Sequence, residues 1–282
     1  MRDLRALAVL CALGLAGAPP VRAQTPDQPN LMFTISGGLT VGSGALWTVP
    51  RQLAFASNNG VQNLWDSVGL SRKLGVGFLA TLTATYFRSP HLGYTLEAGF
   101  FGLETKGGCA ALGPFTPVSA APPNAQACGY LQGQDMRGDV VGLLAGVTYR
   151  ATSGGVQPYV RASAGGALVG SSFVEMAAPT LQQGGTISTV YFLADQNHTE
   201  LTWMASVGVG VMLPLGPGYQ LRVEARDLIV SLPYHSGPAT DTGAVAAGSQ
   251  LPQPPVARKV VLVPTIAVGL DIVLERRRGR RY

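Results

Sequence analysis

Charge is scarce in this sequence. Asp, Glu, Lys and Arg make up only 12% of the 282 residues, about half the usual ~25%. Histidine and cysteine are rarer still, at three each. The histidines are scattered and no CxxC spacing occurs, so the sequence offers no metal cluster and no cofactor motif. Beyond the first residues no long apolar run exists, because Gly, Thr, Ser or a charge interrupts every few positions. That excludes a bundle of membrane helices, whose spans need ~20 mostly apolar residues. A mean hydropathy of +0.24 excludes a disordered chain, which is polar and highly charged. What the sequence has in excess is glycine, 37 residues, roughly 13% against a usual ~7%. Gly-rich, charge-poor and without long apolar runs points to β structure in a lipid setting.

Residues 1–23 read MRDLRALAVLCALGLAGAPPVRA. Arg2 and Arg5 start it, an apolar stretch follows, and Val21-Arg22-Ala23 offers small positions for cleavage after Ala23. This is the pattern of a secretory signal peptide. A membrane anchor is the competing reading, against which stand the shortness of the stretch and Pro19-Pro20. Cys11 invites a lipoprotein reading, but Leu10 stands before it where a small residue is needed. Export permits disulfides. Cys109 and Cys128 remain after the leader, flanking one Pro/Ala-rich stretch, and an even pair so placed reads as a bridge.

The net charge is +5. The leader contributes +2 (Arg2, Arg5 and Arg22 against Asp3), leaving +3, and the five arginines within 276–281 account for more than that remainder. Without leader and tail the balance is 3 − 5 = −2, so the basic character is terminal and no nucleic-acid partner is expected. The tail, at the periplasmic end, suits acidic phospholipid headgroups. The expected organisation is leader 1–23, one barrel 24–275 and basic tail 276–282.

Eight segments alternate with period two, the signature of strands. They cover 31–42, 73–88, 92–105, 139–150, 157–171, 200–213, 219–229 and 260–274. Ordinary strands average 5–6 residues, whereas tilted strands that cross a bilayer need ~9–11. Three connections have tight-turn compositions: Ser89-Pro90-His91, the stretch with Ser153-Gly154-Gly155, and PLGPG at 214–218. The other four, about 43–72, 106–138, 172–199 and 230–259, are long and rich in Pro, Gly and Ala. Short turns at one end and long loops at the other mark an outer-membrane barrel. The expected fold is all-β: an eight-stranded antiparallel up-and-down transmembrane β-barrel with four long extracellular loops.

One face of each segment is continuously apolar; the other is small, polar or charged. Val76, Phe78, Leu82 and Tyr86 oppose Gly77, Thr81, Thr83 and Thr85. A soluble barrel of the lipocalin kind would put the apolar face inside and a charged face outside. Here the polar face is rich in Gly, which suits a narrow interior, and too poor in Lys and Glu to face water. On the apolar face Tyr86, Tyr94, Tyr149 and Tyr219 each fall beside a short turn, with Phe33 at the same level. Together they form a candidate interfacial girdle.

With the leader and the eight strands, the segments YVRASAGGALVG (159–170), LRVEARD (221–227) and AVGLDIVL (267–274) resemble the small outer-membrane β-barrels of the OmpA/OmpX type. The last is similar to the signal read by the barrel-assembly machinery, although Ile272 and Leu274 stand where aromatics are usual. The resemblance implies outer-membrane lipids as surroundings, the barrel-assembly machinery as a partner in biogenesis, and a monomer. It says little of function, because the fold hosts adhesins, scaffolds, enzymes and lipid binders.

Alternation turns Glu97, Arg150, Arg161, Arg222, Glu224, Arg226 and Asp271 into the lumen. Charges inside so narrow a barrel must pair, so a salt-bridge network is expected, with a gate or ion path as the alternative. Sorted by depth, on strands taken as free of bulges, the inward positions near the long loops are Phe101, Leu103, Val140, Leu144, Val169, Met204, Leu228, Val261 and Val263. They form either a packed plug or a cavity for an acyl chain or other apolar ligand. Lipid-A deacylases of this fold use a His, Ser and acid cluster on the wall. The candidates are His198 with Glu200, and His235 with Ser236, and neither matches the HxSN pattern. The leading expectation is a non-enzymatic structural or surface-interaction protein whose loops meet an extracellular ligand or host surface. A carrier of an apolar ligand is second and a lipid-A-modifying enzyme third.

Overall fold

Alternation of small inward and apolar outward residues leaves an extended chain one stable arrangement in lipid. It must close on itself, so that every backbone N–H and C=O finds a partner. The computed structural model describes residues 30–42, 44–58, 63–112, 123–132, 135–170, 173–181, 187–193, 199–235 and 256–274. The leader and the basic tail lie outside them.

The described strands are β1 (Asn30–Val41), β2 (Ala45–Asn58), β3 (Asn63–Leu74), β4 (Val76–Phe87), β5 (Leu92–Ala111), β6 (Asp135–Arg150), β7 (Gln157–Gly170), β8 (Met176–Leu181), β9 (Ile187–Leu193), β10 (Thr199–Gly216), β11 (Tyr219–His235) and β12 (Val256–Leu274). Among the described residues one helix, α1 (Pro123–Leu131), lies between β5 and β6. Eight strands form a closed antiparallel ring in the order β1, β4, β5, β6, β7, β10, β11, β12 and back to β1. Gly155 and Gly218 take φ of 65° and 80° in two of the short turns, a conformation that favours glycine.

The ladders fix the stagger. From Arg150 on β6 the rungs run to Tyr159, Gly210, Glu224, Ala267, Gly38, Leu79, Phe101 and back onto β6 at Val140. One circuit therefore climbs 150 − 140 = 10 residues. For eight strands this stagger implies a tilt of about 40°, an axial rise of about 2.5 Å per residue and a climb of about 1.25 residues per strand-to-strand step.

The outer wall follows from that geometry. On β6 the outward residues between Tyr149 and Asp139 are Val147, Ala145, Leu143 and Val141, all exposed. Ten residues at this tilt span about 25 Å, the height of the apolar band of a membrane barrel. Phe33, Tyr86, Tyr94, Tyr149 and Tyr219 all point outward and are 44–52% exposed. Counted round the rungs, the first four lie within about one residue of a common level and Tyr219 about two lower.

The long connections differ from the loops expected. β2 and β3 form a hairpin, and β3 joins the sheet by pairing Val68–Leu74 with Thr105–Ala111 of β5. Lys73 and Leu74 thus belong to this hairpin and not to the following barrel strand. Period-two alternation is present on β3 (Val68, Leu70, Arg72 and Leu74 are buried), but three register shifts interrupt its ladder with β2 and mask the hairpin in the sequence. β5, β11 and β12 continue well above the membrane wall, β11 and β12 pairing as far as His235↔Val256. The hairpin β8–β9 is a separate two-stranded sheet.

These parts make a cap. Leu46, Trp47, Val68, Leu70, Leu131, Phe173 and Phe192 share one continuous core with the upper lumen. The Trp47 indole N–H donates to the Phe173 carbonyl at 2.8 Å. A disulfide joins Cys109 on β5 to Cys128 on α1.

Candidate functional site

The lumen has two halves. In the lower half Gly208 and Gly210 on β10 leave room for the Arg226 and Tyr159 side chains of the neighbouring strands. Arg161 on β7 meets Glu224 on β11 at 2.6 Å and Glu97 on β5 at 2.9 Å. Arg226 Nη1 meets Glu97 Oε1 at 2.7 Å and lies 3.8 Å from Glu224. The Tyr159 hydroxyl donates to Glu224 at 2.5 Å, and Thr83 donates to Glu97 at 3.2 Å. These two arginines and two glutamates form one network.

Arg222 and Asp271 form a neighbouring pair at 2.9 Å, which Thr34 completes by donating to Asp271 at 2.6 Å. Arg150 stands apart at the short-turn end. It binds the Pro90 carbonyl and Gln157 Oε1, and its guanidinium lies 4.0 Å from the Phe87 ring centroid. All seven charged residues are at most 5% exposed.

Four arginines here face three carboxylates. Arg222 Nη1 and Nη2, and Arg226 Nε and Nη2, have no acceptor among the described residues. The cations are otherwise served by aromatic faces, Arg222 over Tyr159 at 5.2 Å and Arg226 over Phe101 at 5.6 Å. Met32, Phe87, Tyr159 and Met212 close the bottom as an apolar cluster.

The upper half is apolar. Phe101, Leu103, Val140, Leu144, Val169, Met204, Leu228 and Val263 are 0–2% exposed, and Val261 packs part-buried against them. Among the described residues these side chains pack into one buried cluster. The cap residues above complete the same core.

The cap contains polar groups that strand periodicity did not single out. Arg72 donates to Thr105 Oγ1 at 3.0 Å and to the Glu175 carbonyl at 2.5 Å, with Trp47 at 6.0 Å. Burial pushes its guanidinium down to about 10, against the opposing pull of Glu175. Asn124 donates to the buried Asp66 at 2.8 Å. His235 is buried, with Nε2 2.9 Å from the Val174 carbonyl and its ring edge-on to Trp47. That is a structural setting; Ser236 and His198 lie outside the described residues. Glu200 pairs with Arg258 at 3.1 Å.

A closed ring with an apolar, tyrosine-edged outer wall and charge pairs buried in its lower lumen defines an outer-membrane β-barrel. The protein has the eight-stranded architecture of the small OmpA/OmpX-like class. No protein-family model and no curated protein matches its sequence. Among solved structures it is similar to Neisserial surface protein A, at a TM-score of 0.38 and 11% identity over 87% of this chain and 98% of that one. It is similar to the outer membrane protein OprG from Pseudomonas aeruginosa, at 0.38 and 15% over 87% and 96%. It is also similar to the outer membrane protease OmpT from Escherichia coli, at 0.35 and 10% over 90% and 100%. These likenesses concern the fold alone.

Proposed function

We infer that the protein is a closed scaffold of the outer membrane that holds a folded cap at the cell surface, where the cap carries a structural or surface-interaction role without catalysis. The observation that carries this reading is the double closure of the lumen, by charge pairs below and by apolar packing above. Eight strands leave an interior that side chains fill. The cap, in turn, is more than connecting loop: a hairpin, a helix and a disulfide give it a core continuous with the barrel. Such a surface presents fixed side chains to a partner at little ordering cost. The apolar upper lumen supports a plug rather than a carrier, since Phe101 and Leu144 are each 1% exposed.

Two measurements test this. Planar bilayers containing the purified protein should show no stable conducting state. On intact cells a membrane-impermeant thiol reagent should label Val256→Cys, at the cap end of β12, and should label Leu215→Cys, in a short turn, only after lysis. A steady open channel overturns the closed-scaffold reading, and reversed labelling overturns the placing of the cap.

A further inference from the structure

Among the described residues of the membrane wall, one charged side chain points outward. Asp227 on β11 points outward and is exposed. Its rungs run to Val207, then Ala162, then Val147 on β6. Val147 lies two residues above Tyr149, and three steps round the ring climb about 3.75 more. Asp227 thus sits about six residues above the Tyr149 level, on the order of 14 Å, in a band about 25 Å high. That is the middle of the hydrocarbon.

The neighbours offer it nothing. Across the ladder stand Val207 and Pro264, and along the strand Ala225 and Ile229. Arg226 next to it faces the lumen, where its Nη1 is held by Glu97. Among the described residues no donor or cation meets the Asp227 carboxyl. Lipid headgroups stop at the band's edges, and hydrocarbon supplies neither water nor counter-ion. An ionisable group at this depth is expensive, and such groups persist where something else meets them.

We propose that Asp227 lies at the centre of a membrane-embedded interface with a second copy of this chain. Both copies insert with the same polarity, so a two-fold axis along the membrane normal brings a residue near the axis to its own equivalent at equal depth. Few side chains complement themselves. A carboxylic acid does: its O–H donates and its carbonyl accepts, so two Asp227 side chains satisfy each other and need no third group. The wall around them permits close approach. Ala225 and Ala205 flank the site and the Pro264 ring is flat, and small side chains are what membrane interfaces use to bring backbones together. This replaces the monomer expected from the resemblance.

The test uses the full-length protein, labelled with donor or acceptor dye and folded into phosphatidylcholine vesicles at high lipid excess. Energy transfer should report a dimer. Asp227→Asn, which keeps one donor and one acceptor, should preserve it. Asp227→Val should weaken it on the order of tenfold, the scale of one or two hydrogen bonds in a membrane. Asp227→Cys should cross-link under mild oxidation, and Ala98→Cys, outward on the opposite strand β5, should not. The shift in gel migration on boiling confirms folding of each variant. A monomeric wild type, an Asp227→Val dimer as tight as wild type, or equal cross-linking of Ala98→Cys overturns the proposal. So does cross-linking of Asp227→Cys in cells to some other polypeptide alone.

Discussion

Glu97 and Arg226 join opposite walls of the barrel: their strands, β5 and β11, are four apart in either direction round the ring, yet Arg226 Nη1 lies 2.7 and 2.9 Å from the two carboxylate oxygens. The pair is a strut across the lumen. Glu97→Ala would leave Arg226 and Arg161 short of a buried counter-charge, and the expected loss is on the order of 3–5 kcal/mol. The urea midpoint in detergent micelles reads it. Removing both ends of the strut, Glu97→Ala with Arg226→Met, should cost less than the two single changes added, since neither leaves the other uncompensated. Strict additivity would count against a paired network.

The same logic predicts the effect of Glu224→Ala. Glu224 accepts from Arg161 and from the Tyr159 hydroxyl, so its loss should lower the unfolding midpoint without opening the lumen. If the midpoint holds while ion selectivity of a measurable current changes, the charges line a pathway instead.

The Cys109–Cys128 bond closes a separation of 19 residues, a constraint of on the order of 3 kcal/mol on the unfolded cap. A non-reduced digest should yield the two peptides linked. In Cys128→Ser the cap should become sensitive to protease while the barrel fragment survives. Alkylation of both thiols without reductant would rule the bridge out.

The β1–β12 seam is tight at Gly38. A Cβ there would lie 2.1 Å from the Ile266 carbonyl oxygen and 2.7 Å from the Ala267 Cα. Both are backbone atoms that cannot swing aside. Gly38→Val should therefore prevent closure and abolish the fast-migrating folded form on unheated gels. Gly166→Ala is the control: its Cβ would come no closer than 3.7 Å to the Leu201 side chain, and folding should be normal.

Heat-modifiable migration is expected of the wild type, because a closed ring offers no edge from which to unzip in detergent. Equal migration before and after boiling would contradict the ring.

The barrel was legible because its strands obey one simple rule, side chains alternating between two unlike environments. The same rule turned the seven charged residues and the apolar upper positions inward. The described ladders of the eight barrel strands contain one register shift, at Pro214/Gly216 in a short turn, so no bulge exchanged the faces. The cap was not legible. Its hairpin has irregular register, and α1 is a nine-residue helix without acidic or basic ends to mark it. Arg72 and Asp66 are buried by contacts distant in sequence, such as Asn124 on α1, which periodicity does not carry. Asp227 interrupts the apolar face of its strand, which alternation alone did not single out, and its depth emerges only once the ten-residue stagger is known.

Thr34 and Asp271, hydrogen-bonded across the β1–β12 seam, are 237 positions apart in the chain. The first wall strand to leave the ribosome is thus completed by the last. Until residues near Leu274 are in place, β1 has a bare edge that no other described segment is registered to cover. β12 consequently works as a proof of completeness. A chain cut short at any point fails as a whole rather than by one strand, and its uncovered edge distinguishes it from a finished molecule for any protease that surveys the envelope.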